Sequence, residues 1–383
     1  MTDEELNPQE IFWRDLYPFL LDHGYQLRPR FRPGWIPSWR GTNKSSMFFE
    51  DSHVLPHPKT IDAVRLSDNK EVFIKRVEKA SSEVDINIYL NNPSLRSDPS
   101  NHAVPVLDIL IGNDTYDFLV MPVLRFFNDP PFVFVDEVLD FIQQTLEGLV
   151  FLHRVGVAHR DCSDLNLMFD ATALFPTGFH PSEQQVERSG YGLIRNILNR
   201  SDVLSAMRYY FTDFGISTYF KDASQPRLVT GNHGQDTELP ELSDTVPYDP
   251  FQSDIFILGN VYKTCLIDVY SNLSFLEPLS HEMTKPAPRS RPTAEESLAA
   301  FHDIVQEQNR ISLRWMLLES NITRSVRLKR HLHSMRREIS RFAKRIFGFP
   351  TGLILLASVT VASFVYGPRN IISRISDTFR RRP

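Results

Sequence analysis

The feature that most constrains this chain is a change of hydrophobic period at Pro130-Pro131. Before it stand short β-type runs, IDAVRL, EVFIKRV, AVPVLDILI and YDFLVMPV, which read as strands. After it, Val138, Leu139, Ile142, Leu146, Leu149 and His153 recur at the spacing of one helical stripe. Strands first and helices second predict an α+β chain in two packed parts, with the seam near Met121–Leu124. At 383 residues, 42% hydrophobic and 23% charged, the chain is large enough for such a core, and disordered, collagen-like and disulfide-scaffold classes are excluded. Pro29, Pro33 and Pro37 are too close together for a helix, so residues 1–39 read as an extended, docked leader rich in Pro and Trp.

Charge divides the chain a second way. Residues 1–320 carry 28 basic and 45 acidic side chains, whereas residues 321–383 carry 14 and 2. An acidic body with a basic tail is expected to seek an anionic surface through the tail. Only Cys162 and Cys265 are present, without metal-ligand spacing, so no disulfide framework or zinc site is expected and a reducing compartment is. The acidic start, MTDEELNPQEIF, does not read as a secretory or transit signal.

The tail suggests a membrane anchor. Between Arg345 and Arg369 lie 23 uncharged residues, enough, at about 1.5 Å per helical residue, to cross a hydrocarbon core of roughly 30 Å. Nine Lys/Arg precede this segment from residue 321 and five follow it, which predicts a single pass with the body cytosolic, tail-anchored in the mitochondrial outer membrane or the endoplasmic reticulum. A buried C-terminal helix is the plain alternative. For the basic stretch, lipid headgroups are favoured over a nuclear signal or a nucleic-acid patch, and no nucleic acid is expected as partner.

Directly after the helical stripe comes VAHRDCSDLNLMFD, and later YYFTDFGIS. HRD with Asn five positions after its Asp, followed by DFG, resembles the catalytic and metal-binding loops of eukaryotic protein kinases. The resemblance rests on an ordered set: Lys75 in VFIK, Glu83, His159-Arg160-Asp161, Asn166, Asp213-Phe214-Gly215, Pro240-Glu241, Asp254 and Arg291. It covers roughly residues 40–310, and RPRFRPGWIPSW, NHAVPVLDIL, FLVMPVL and DPFQSDIFILGNV are similar to an expanded protein-kinase-like group of basidiomycete fungi.

What the resemblance implies is a two-lobed protein-kinase fold: a β-rich lobe over 40–122 and a helical lobe over 123–310. A basic helical juxtamembrane segment (311–345), a transmembrane helix (346–368) and a short basic end (369–383) would follow. It implies an ATP-dependent phosphotransferase with Mg2+, acting on a protein substrate, Ser/Thr rather than Tyr. Asp161 would accept the hydroxyl proton, Asp213 and Asn166 would hold metal, and Lys75 would hold phosphates. Glu83 would hold Lys75 in turn; Met121, Leu124 and Met168 would surround the adenine, although Met121 and Met168 read equally well as core methionines. His159, Arg160, Phe214, Gly215 and Asp254 would be structural, as would the Glu241–Arg291 ion pair. The chemistry fits, because phosphoryl transfer needs positioning and charge neutralisation more than covalent help.

The segment VDINIYL leaves one choice open. Its period-two alternation reads as a strand, whereas the resemblance puts Glu83 on a helix, with Asp85 as the substitute carboxylate. Other departures bear on activity. Gly41 is the only glycine between Pro37 and Lys75, so the phosphates lack a glycine-rich loop of backbone N–H groups. Phe73 replaces a small residue on the lysine strand, Ser163 stands where a catalytic-loop lysine is expected, and Pro122 cannot donate at the seam. These keep a second reading in play, a pseudokinase scaffold or binding module. Asp213 follows Asn166 by 47 positions, so residues 171–207 form an insertion, whose GLIRNILNRSDVL reads as a docked helix.

Overall fold

A computed structural model of the chain describes residues 5–222 and 224–347. The first helix, α1 (Pro8–Asp15), starts at an Asn7 cap whose side chain accepts from the Gln9 and Glu10 backbone while Glu10 returns a bond to Asn7, with Pro8 at the first helical position. Helix α2 (Tyr17–Asp22) and strand β1 (Tyr25–Leu27) follow. The expected leader is therefore not extended over its first half: it forms two helices and an edge strand. Only a single 3-10 turn, Pro29–Phe31, lies within the proline-rich stretch 29–37.

Strands β2 (Thr60–Arg65) and β3 (Lys70–Glu78) make a hairpin. Helices α3 (Glu83–Leu90) and α4 (Pro93–Arg96) come next, then β4 (Asp108–Leu110) and β5 (Tyr116–Pro122). The sheet is antiparallel throughout, ordered β1-β2-β3-β5-β4. Its pleat sorts residues by face. Ile61, Ala63, Val72, Ile74, Phe118 and Val120 pack with Trp13 and Leu20 of the two leading helices. Phe73 and Lys75 alternate with that set and therefore lie on the opposite face.

The chain leaves this sheet at Val123 and enters a second one, β6 (Arg125–Phe126), β8 (Leu167–Phe169) and β9 (Tyr209–Phe211), ordered β6-β8-β9. Helix α5 (Val135–Arg154) buries the predicted stripe, with Val138, Ile142, Leu146 and Leu149 at 0% exposure. Two strand pairs, β7 (Val157–Ala158) with β10 (Thr218–Tyr219) and β11 (Val229–Gly231) with β12 (Ser243–Tyr248), frame the loops that follow. Helices α6 (Pro250–Tyr262), α7 (Glu277–Met283) and α8 (Ala294–Gln306) complete the large core around α5.

The insertion 171–207 contains no α-helix. Asn196 takes φ 61°, a left-handed value through which a right-handed helix cannot run, and 3-10 turns at Arg200–Asp202 and Leu204–Ala206 replace the expected helix. The insertion straps both parts together. On the sheet side Ser182 bonds Asp62 (2.5 Å), Arg28 bonds Ser182 (3.0 Å) and Arg188 bonds Glu71 (2.7 Å). On the other, Gln184 donates to the Leu124 carbonyl (3.0 Å) and accepts from Arg125 (2.5 Å).

Helix α9 (Arg324–Phe347) is basic, as expected, and it is seated on the body rather than free. Arg330 donates to the Leu317 carbonyl at 2.7 Å, Ser334 accepts from the Met316 N–H at 2.9 Å, and Arg337 lies 3.6 Å from the Phe134 ring. Arg and Lys recur along its length, so it cannot enter a hydrocarbon core. Among the described residues no helix is long and apolar enough to cross a membrane. This corrects the expected single-pass anchor and the membrane localisation drawn from it; residues 348–383, which hold nearly all of that segment, lie outside those described. The fold class is corrected with it. What is described is an α+β chain with small antiparallel sheets of five, three, two and two strands, a pattern that many folds share; a two-lobed protein-kinase fold with an added transmembrane helix is not shown.

Candidate functional site

Strand β3 carries Lys75 to the face away from the small core, and α3 brings Glu83 to meet it. The Lys75 ammonium lies 2.5 Å from Glu83 Oε1 and 2.8 Å from Asp213 Oδ1. The strand-or-helix choice at VDINIYL resolves to helix, so Glu83 is the carboxylate on Lys75 and Asp85 is not needed as a substitute. Burial works against the Lys75 charge, but the two carboxylates outweigh it and its pKa is raised. Glu83 is pushed up by its own burial more than Lys75 draws it down. For Asp213 burial is outweighed by Lys75, by the Gly215 N–H and by nearby His159, so it is held below the ordinary carboxylate value. Of the two carboxylates, Asp213 is thus the more firmly ionised.

Asp213 takes φ 59° and Arg160 φ 68°. Left-handed backbone at an Arg is held only where its surroundings enforce it, and here they do. Asp254, at 0% exposure on α6, accepts from the backbone N–H of His159 (2.8 Å) and of Arg160 (2.6 Å). His159 passes an Nε2–H to the Thr212 carbonyl (3.0 Å), and burial lowers its pKa. Its other ring nitrogen accepts from the Asp161 N–H, which fixes a neutral tautomer. Phe214 is fully buried with its ring 4.8 Å from that of His159. At Gly215 a Cβ would stand 3.0 Å from Asp213 Oδ1 and 3.4 Å from Glu83 Oε2, so a side chain there would press on both carboxylates.

Asn166 uses its amide NH2 on the Asp161 carbonyl (2.8 Å) and carboxylate (2.9 Å). Asp161 also accepts from the Gln235 backbone N–H at 2.9 Å and from its side chain at 3.3 Å. Gln235 belongs to the segment after DFG, which Arg160 ties down by donating to the carbonyls of Ile216 (3.2 Å) and Thr230 (2.9 Å). At its far end Glu241 makes a bidentate pair with Arg291, at 2.5 and 2.8 Å.

Lys75, Glu83, Asp161, Asp213 and Gly215 line one cavity of about 270 Å³. Lys59, which the sequence reading missed, lines it too; it is exposed just before β2 and has no ion-pair partner among the described residues. Its signal in the sequence is a cation directly ahead of the hairpin that carries Lys75. The expected adenine contacts are not brought to this cavity. Leu124 is buried in the large core, and Met121 and Met168 pack against that core. Among the described residues no group of His, Cys, Asp or Glu is placed to share a metal ion by itself. Asp213 lines the cavity, whereas Asn166, whose amide NH2 turns to Asp161, is not among its lining residues; their side-chain oxygens are of the hard kind that Mg2+ takes. No family model matches this chain, and no curated protein matches its sequence.

Proposed function

We propose that the chain is an ATP-dependent phosphotransferase of the protein-kinase type, which moves the γ-phosphate to a protein hydroxyl. The observation that supports it best is the convergence of Lys75, Glu83, Asp213 and Asp161 on one cavity, in the order that the HRD and DFG motifs lead one to expect. Lys75 holds phosphate oxygens, and Glu83 keeps its ammonium aimed. Asp213 and Asn166 would hold Mg2+, which when bound would supply charge neutralisation to the phosphates. Asp161 takes the proton from the acceptor hydroxyl as its oxygen bonds to phosphorus. Lys59 brings a second cation to the phosphates where a glycine-rich loop and a catalytic-loop lysine are both missing.

The decisive test is calorimetric titration of ATP with and without Mg2+ into the full chain and into Asp213→Ala. Magnesium-dependent binding that Asp213→Ala abolishes supports the reading; no binding to the unaltered chain overturns it. Two observations favour a second reading, a binding module with weak or no turnover. Both Asp161 oxygens already accept protein hydrogen bonds, and Met121, Leu124 and Met168 do not line the cavity. Labelled-phosphate transfer separates the two, since the module binds without transferring.

A further inference from the structure

The cavity around Lys75 is small for a whole nucleotide. Its volume, about 270 Å³, falls below the roughly 300–1,000 Å³ of sites that enclose a drug-sized ligand. Lys59 and Lys75 bring it two ammonium groups, and the rest of its wall, Arg76, Val77, Glu78, Ser81 and Ile216, holds no aromatic ring among the described residues. It offers charge to phosphates but no ring on which the flat face of a base could stack.

The sheet next to that cavity is already covered. Thr60 pairs with Lys75, and Asp62 with Phe73, across the β2–β3 hairpin. The next position on this face is therefore two residues, roughly 7 Å, from the lysine. There stand Phe73 and Asp62, and Asp62, 3% exposed, is taken by Arg28 (2.8 Å) and by Ser182 of the insertion (2.5 Å). The Leu124 carbonyl, an acceptor that the crossing could have shown to the edge of a base, is taken by Gln184 (3.0 Å). The insertion is braced from behind as well. His180, 2% exposed, accepts from the Glu183 N–H and donates to Glu50 at 3.3 Å, and at Gly190 a Cβ would stand 2.8 Å from the Glu50 Cα. A cavity of about 190 Å³ between sheet and insertion is lined by Arg28, Asp62, Glu71 and His180, again with charge in place of an apolar slot.

We propose that the insertion seals the base end of the cleft, so that the site reads its phosphate donor by the polyphosphate chain and not by the base. The inference rests on the phosphotransferase reading and names its donor class: nucleoside triphosphates of any base, with inorganic tripolyphosphate binding beside them. Lys59 and Lys75 hold the phosphates in the open end, and ribose and base stay outside the sealed one.

The test is calorimetric titration of the full-length protein with ATP, GTP, CTP and inorganic tripolyphosphate, each with Mg2+. The four dissociation constants are expected to agree within about threefold. Lys59→Ala, an exposed change, should weaken all four by the same factor. Ser182→Ala/Gln184→Ala, which uncovers Asp62 and the Leu124 carbonyl, should tighten ATP several-fold and leave tripolyphosphate unchanged. ATP binding more than about tenfold tighter than CTP and tripolyphosphate overturns the inference and leaves the phosphotransferase reading standing. Tripolyphosphate binding that Lys59→Ala does not weaken arises elsewhere on the chain and overturns it too, as does an ATP affinity unchanged in the double variant. Equal binding of all four without transfer of labelled phosphate from ATP sinks only the phosphotransferase reading, and binding of none sinks both.

Discussion

Glu241→Gln is the most informative single change for the body of the protein. Arg291 is 4% exposed, and its guanidinium spans both Glu241 oxygens and the carbonyls of Lys285 (2.7 Å), Gln252 (2.9 Å) and Pro286 (3.2 Å). The substitution keeps the shape and one acceptor oxygen but removes the only carboxylate that Arg291 touches among the described residues. An arginine does not escape by losing its proton. Breaking a buried pair from one side costs about 3–5 kcal/mol, and the retained oxygen places Glu241→Gln near the lower end, about 3 kcal/mol. Against a usual total of roughly 5–15 kcal/mol, urea unfolding at neutral pH should show a clear fall in midpoint with the slope unchanged. The double variant Glu241→Gln/Arg291→Met removes both charges and should recover most of the loss. A single variant within about 1 kcal/mol of the unaltered chain, or a double variant worse than either single one, would refute the reasoning.

Lys59→Ala should weaken MgATP binding several-fold without changing the urea midpoint; unchanged affinity removes Lys59 from the phosphates. Phe73 shares a strand face with Lys75, two residues away, so Phe73→Ala should tighten ATP if the ring crowds the base, and equal or weaker binding in the calorimeter argues against crowding. His102 is 2% exposed and donates to the Tyr209 carbonyl at 2.7 Å, while burial holds its pKa down to about 4 from 6.5. The unfolded chain therefore takes a proton there before the folded one does. Its contribution is complete above about pH 6.5 and is lost as pH falls towards 4, by about 3 kcal/mol at about 1.36 kcal/mol per pKa unit. Stability measured from pH 7 to 4 should slope less in His102→Gln, and an identical slope would refute the assignment.

The motif-bearing loops and the α5 stripe were legible because each is local: a spacing in the sequence is a spacing in the element. Helix α3 was not, and the reason is chemical. Its buried positions are Glu83, Ile86, Asn87 and Leu90, whereas Ile88 is 52% exposed. Two of the four buried side chains are polar, one held by Lys75 and the other donating to the Glu83 carbonyl at 2.9 Å. A periodicity test on apolar residues followed the wrong set. The leader failed differently. Its capping signal, Asn7-Pro8-Gln9-Glu10, was there to be read, but the later prolines dominated the reading. Glu10 also serves as the buried partner of Arg30, at 2.8 Å, a contact between residues 20 apart that no local pattern reveals. The seating of α9 is of the same kind: its charges mark a helix, but not that Arg330 and Arg337 find a carbonyl and a ring on the body.

The insertion 171–207 turns the sheet and the helical part into jaws held by a clasp. Ser182 and Arg188 grip the sheet at Asp62 and Glu71, while Gln184 grips the chain crossing at Leu124 and Arg125. Any widening of the cleft by rotation about that crossing has to slide polar contacts past one another at the pivot as well as part the jaws at Lys75 and Asp213. A pivot braced in this way favours small angular excursions over a wide gape.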